Sequence, residues 1–226
     1  TAQDLAGRIA HSIHNPLGAL IGHLQLALRT HGRQNSEEVL ERALALAVRV
    51  SDVVKRILNL FREGKADLRR EDAGEILDEV ARELEGRALL GDVKVDIQPP
   101  RAPTEVWADR PLLVSALTAL AQNALESVER GGWLRMSAGL EDGSVVFDVE
   151  DDGPGIPSEV RDHVFDPFFT TKRTGSGLGL AIARGVVTGH RGEIEIHPGR
   201  GGIGTRVRVS LPGQGPPPGE PDGGRG

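Results

Sequence analysis

The chain has 226 residues, a formal net charge of −6 and an apolar fraction of 38%, which is enough for one large or two small cored domains. The acidic balance and the lack of any dense Lys/Arg run argue against nucleic acid or an anionic membrane as the main partner, and the absence of cysteine excludes disulfides, thiolate metal sites and cysteine catalysis. No run approaches the ~18 apolar residues of a membrane span and no signal-peptide pattern opens the chain, which begins on Thr1; the expectation is a cytoplasmic piece of a longer protein, any membrane tether lying upstream.

Leu5, Ile9, Ile13, Leu17, Leu20, Leu24 and Leu28 alternate steps of four and three, the stripe of a long amphipathic helix. The polar run "THGRQNSEE" interrupts it with the turn formers Gly32 and Asn35, and Ser36 or Asn35 can cap a second helix. The period resumes through Leu40, Leu44, Ala47, Val50, Val54, Ile57 and Phe61. Two such helices form an antiparallel hairpin with one apolar face, and that face is expected to pair with a second copy as a dimeric four-helix bundle. On this helical wheel His11 falls about 160° from the stripe, on the exposed side.

At "REGKADLRRED" the stripe gives way to charge, which places a domain boundary near residue 66. Beyond it, helical patterns fit Ala73 to Arg87, Arg110 to Glu129 and Gly179 to Thr188. The segments "VKVDIQ", "WLRMSAGL", "SVVFDVED", "GEIEIHP" and "TRVRVSLP" alternate with period two. Helices interleaved with short paired strands predict a two-layer α/β sandwich on a mostly antiparallel sheet. Residues 214–226, rich in Pro and Gly, carry no core-forming side chain and are expected to be a flexible tail.

Three segments of the second domain carry chemistry. In "VEDDGPGIP" a strand runs into an acidic pair and two glycines; a carboxylate there can accept an exocyclic amine, although a plain tight turn is the commoner meaning of the segment alone. "TGSGLGLAI" is a glycine-rich loop opening into a helix, whose first N–H groups suit a phosphate. "LAQNALESV" is a helix with an asparagine whose amide oxygen can complete the shell of a magnesium ion held mainly by phosphates.

Taken together and in order, "ADRPLLVSALTALAQNALES", "DVEDDGPGIP", "VFDPFFTTK" and "GSGLGLAIA" resemble the N, G1, F and G2 boxes of the GHKL ATP-binding superfamily, specifically of bacterial sensor histidine kinases. "HSIHNPL" in the first helix resembles the H box of their dimerisation and phosphotransfer domain. The resemblance implies a transmitter core with a dimerisation and phosphotransfer domain at 1–66 and a catalytic ATP-binding domain of GHKL type at 67–213. His11 would be phosphorylated from ATP and the phosphoryl group passed to an aspartate on the receiver domain of a response regulator. Residue by residue, it makes Asn123 the Mg2+ ligand and Asp151 the adenine acceptor, with Gly153 and Gly155 in the turn beneath the nucleotide. Gly175, Gly177, Leu178 and Gly179 would line the phosphates from a mobile lid packed by Phe168 and Phe169, and Lys172, with Arg173, would reach the γ-phosphate. Asn15, one turn below His11, would position water for dephosphorylating the partner. His14, beside His11, is open to a phosphate-contact or a plain surface role.

Two positions depart from the pattern. ATP-hydrolysing relatives place a glutamate one helical turn before the magnesium asparagine, and histidine kinases usually another asparagine; here it is Ala119, which leaves no base for water at that point. The residue after the phospho-acceptor is usually Glu or Asp, which takes the imidazole Nδ1 proton; here it is Ser12, a hydrogen-bonding group but no base near neutral pH. The alternative reading is an ATP-binding scaffold or response-regulator phosphatase with weak autokinase activity.

Overall fold

The computed structural model describes residues 66–172 and 177–213, with residues 21, 22 and 47 of the first domain. Ile21, Gly22 and Ala47 are helical, as the apolar period predicts. His11, Ser12, Asn15, Arg173, Gly175 and the expected tail lie outside the described residues. The chain divides into two compact units, residues 1–62 with 170–178 and residues 63–169 with 179–226. No described helix is long and apolar enough to cross a membrane.

The second unit opens on a short strand, β1 (Arg69–Asp72), and runs into α1 (Ala73–Gly91). Asp72 sits in extended conformation at the N-cap and its carboxylate accepts from the N–H groups of Gly74 and Glu75, satisfying donors that a helix start leaves open. The helix continues past Arg87 to Gly91, one turn beyond the expected end, with Ala88 buried and Leu89 exposed. It stops where Asp92 turns left-handed (φ 53°) and returns its N–H to Ala88 and Leu89.

Strands β2 (Lys94–Gln98) and β3 (Glu105–Ala108) precede α2 (Arg110–Leu125), and β4 (Trp133–Glu141) and β5 (Ser144–Asp151) form a hairpin. A 3-10 turn at Ser158–His163 leads towards α3 (Gly179–Gly189), and β6 (Glu193–Pro198) and β7 (Thr205–Pro212) close the domain. The five-stranded sheet has the order β2-β4-β5-β7-β6. Only its β2–β4 pair is parallel, so the expected mostly antiparallel sheet is what forms.

Helix α2 ends four residues before the expected Glu129. The Ser127 hydroxyl bonds back to the Asn123 carbonyl (2.9 Å) and the Ser127 N–H tightens onto Ala124 (2.8 Å), a local competition that unwinds a helix end. The pair β1–β3 is not expected from the sequence. Four-residue strands reading RRED and EVWA have too little apolar alternation to register, and an Arg70–Glu105 ion pair helps hold them.

One face of the sheet is apolar and covered by the helices. Leu134 and Met136 of β4, Phe147 of β5 and Val209 and Leu211 of β7 are fully buried, with Ile76, Leu77, Val80 and Leu84 of α1 and Leu113 and Leu117 of α2. Each such side chain contributes roughly 1.5–3 kcal/mol through burial. Helix α2 is buried on most sides, as befits a helix packed between α1 and α3. The opposite sheet face alternates charge: Arg135 pairs with Asp96 (2.7 Å), and Arg208 with Asp148 (2.7 Å) and Glu141 (2.8 Å). The hydrogen bond from Arg135 holds the Asp96 carboxyl below the usual carboxylate range.

Candidate functional site

Ala119, Asn123 and Ser127 are spaced by four along α2 and its final turn, and residues at that spacing share one side of a helix. Two glycine segments meet this stripe from opposite ends. At Gly153, just beyond β5, a Cβ would lie 3.1 Å from the Ser127 carbonyl oxygen. At Gly179, the first residue of α3, it would lie 3.8 Å from the Ala119 carbonyl oxygen. Asn123 stands midway, so the structure gathers the asparagine, the strand-end turn and the start of the glycine-loop helix around two turns of α2.

Asp151, the last residue of β5, is buried. Its Oδ1 accepts the N–H of Gly153 (2.9 Å) and of Thr205 at the start of β7 (3.3 Å). Two backbone donors on one oxygen fix the carboxyl plane, because a short side chain with two restraints has little rotamer freedom left. Asp152 has a different job: its Oδ1 accepts the Trp133 N–H (2.8 Å) and ties the turn to β4.

The glycines are required by the protein's own packing. Gly155 has φ +76°, and a Cβ there would sit 3.1 Å from the Gly204 carbonyl oxygen. Gly204 has φ +75° and backs directly onto the Asp151 carbonyl. Only a residue without Cβ fits so close to a neighbouring backbone at positive φ. Gly204 and Thr205, from the β6–β7 hairpin, thus belong to the site although no motif in the sequence marks them as site residues; the "GGIGT" run is the available signal.

The segment after the G1-like turn touches α3 through a cation–π contact and is braced internally by a ring pair. The Arg184 guanidinium lies 5.4 Å over the Phe165 ring, and the His163 and Phe169 rings are 6.0 Å apart. Phe168 is held at φ +66°, a region unusual for a bulky residue. In the other unit, the Lys172 N–H bonds to the Thr170 hydroxyl (3.1 Å), Gly177 is left-handed (φ +63°) and Leu178 is buried.

Chemically, the second unit presents a carboxylate for an exocyclic amine, an amide for a hard cation and a helix start for a phosphate. Among the described residues no three or more His, Asp or Glu side chains cluster as a metal site.

An α/β sandwich with these groups on one edge has the character of a mononucleotide-binding domain of kinase or ATPase type. Residues 108–215 match the family described as histidine kinase-, DNA gyrase B- and HSP90-like ATPase, and residues 1–66 match the His Kinase A (phospho-acceptor) domain. The chain belongs to the histidine kinase family. It is 32% identical over 227 residues, 94% of this chain, to nitrogen regulation protein NtrY of Azorhizobium caulinodans. A solved structure of the mycobacterial sensor histidine kinase MprB is 30% identical, with a TM-score of 0.58, covering 65% of this chain and 98% of that one. The histidine kinase ThkA, solved in complex with the response regulator protein TrrA, covers 93% of this chain and 61% of that one at a TM-score of 0.74. At 24% identity that likeness is one of fold. The chain spans between about a third and a half of the length of the curated relatives it matches.

Proposed function

We propose that the chain is the transmitter core of a sensor histidine kinase, which phosphorylates His11 from MgATP and passes the phosphoryl group to an aspartate of a response regulator. The observation that carries it is the gathering of Asp151, Gly153 and Gly179 around Asn123. These are the groups an adenine amine, a close nucleotide backbone and a phosphate require.

In this reading Asp151 accepts the adenine amine through the oxygen not turned to Gly153 and Thr205. The start of α3 and Gly175, Gly177, Leu178 and Lys172 hold the phosphates. Asn123 would hold a magnesium ion through its amide oxygen, and the ion would supply charge neutralisation to the nucleotide phosphates. Ala119 has no carboxylate to activate water, which supports transfer to a protein group over hydrolysis. The Nε2 of neutral His11 attacks the γ-phosphorus in line while the bond to the β,γ-bridging oxygen breaks and ADP leaves. Residues 1–66 form the homodimeric bundle that presents His11, residues 67–213 form the ATP-binding domain, and Asn15 orients water for dephosphorylating the regulator. The complex of ThkA with the response regulator protein TrrA supports a response regulator as the partner.

Incubation with γ-labelled ATP tests the assignment. Acid-labile, alkali-stable label that disappears in His11→Ala supports it, whereas tight ATP binding without label supports a scaffold or phosphatase. Steady phosphate release without phosphoprotein returns the chain to the ATPases.

Ser12 yields a second expectation. Because its hydroxyl cannot take the Nδ1 proton, Ser12→Glu is expected to raise the labelling rate by up to about 100-fold, the lower end of what a positioned base contributes. An unchanged or lower rate in the Glu variant means that another group holds the His11 tautomer.

A further inference from the structure

His190, one residue beyond α3, is 3% exposed. Its Nδ1 lies 2.7 Å from the Val186 carbonyl oxygen, and its Nε2 lies 2.9 Å from the backbone nitrogen of Asp109. The backbone nitrogen can only donate and the carbonyl can only accept, so the ring is neutral with its proton on Nδ1. Asp109 is the N-cap of α2. Its Oδ1 accepts the Leu112 N–H (3.3 Å), and its Oδ2 accepts the N–H of Asp67 (3.2 Å), at the entry to the domain. Three elements that are distant in sequence are therefore joined at one buried polar point.

We infer that the His190–Asp109 hydrogen bond is a register pin for the helix pair α2–α3, making His190 a positioning residue for the nucleotide site. The two helices run antiparallel, and both ends of α3 approach α2, His190 at Asp109 and Gly179 at Ala119. At 1.5 Å per residue, Asp109 to Ala119 spans about 15 Å and Gly179 to His190 about 17 Å, so the two contacts lie a matched distance apart along neighbouring helices. Between them the two helices pack together and α3 buries apolar side chains such as Ala183 and Val187; apolar packing permits sliding because dispersion contacts carry little direction. A directional bond to a backbone N–H does not. A slip of one residue would move the start of α3 by about 1.5 Å relative to Asn123, enough to misplace a phosphate against its metal ligand.

This inference rests on the ATP-site reading, and the test separates the two. His190→Asn keeps an amide that can bond Val186 but is too short to reach Asp109, whereas His190→Gln reaches it. Affinity for a fluorescent ATP analogue is measured on the whole chain well below each melting temperature. The Asn variant is expected to bind about tenfold more weakly and the Gln variant within about threefold of the unsubstituted chain, the loss and recovery of about one hydrogen bond's worth of positioning. If both variants melt lower but bind as the unsubstituted chain does, His190 is structural only and the pin is overturned. If the unsubstituted chain binds no nucleotide, the ATP-site reading falls and the pin with it. Should His190→Asn not fold, His190→Leu carries the same expectation.

Discussion

Asp151→Asn is expected to weaken ATP binding by about 100-fold, about 2.7 kcal/mol, while leaving the domain folded. Oδ1 of Asp151 already serves the N–H groups of Gly153 and Thr205. An asparagine keeps both bonds by turning its oxygen towards them, which directs its NH2 group to where the second carboxylate oxygen points. An adenine amine arriving there meets a donor in place of an acceptor. The loss of the amine contact is therefore read in binding. Guanine carries a carbonyl at the corresponding position, so discrimination between ATP and GTP should narrow in the variant. Competition binding with both nucleotides on both chains checks this; an unchanged ATP affinity would remove Asp151 from the adenine subsite.

Gly204→Ala is expected to damage stability and binding together. At φ +75° a side chain costs about 1–2 kcal/mol by backbone sterics alone. The added Cβ would also overlap the Asp151 carbonyl group, part of the backbone that forms the floor of the site. Relief requires the β6–β7 hairpin to lift, which draws Thr205 away from Asp151 Oδ1 and releases Gly155 from its seat on Gly204. A total cost of at least ~3 kcal/mol is expected, at the upper end for single substitutions. Urea unfolding read alongside nucleotide affinity checks it. Gly179→Ala is the contrast: its Cβ would rest 3.8 Å from the Ala119 carbonyl oxygen, an ordinary contact, so the same exchange there should leave stability nearly unchanged.

Much of the second domain is legible in the sequence because its elements carry strong local signals. The period-two strands from Trp133 and Ser144 and at Thr205 begin where the alternation begins. Helix ends are harder to read. Asp92 closes α1 by adopting a left-handed backbone, and Ser127 closes α2 by bonding back to Asn123, and neither event leaves a mark in hydrophobic periodicity. The β1–β3 pair escapes because each strand is four residues long and stable only against the other.

The sequence by itself determined the class of chemistry. The order of the asparagine helix, the acidic glycine turn and the glycine-rich loop, with "HSIHNPL" ahead of them, carries the resemblance to the histidine kinases from which the proposed ligand and acceptor follow, and Ser12 in place of an acid marks where this chain departs from the usual pattern. These are choices of functional group, which a residue's identity fixes directly. The tertiary structure alone decided why the glycines are glycines and what holds the helices in place. Gly204 lies against the Asp151 carbonyl, Gly153 against Ser127, and His190 on the N–H of Asp109, 81 positions away in the chain. Such contacts join segments far apart in sequence, and only folding brings their atoms within reach.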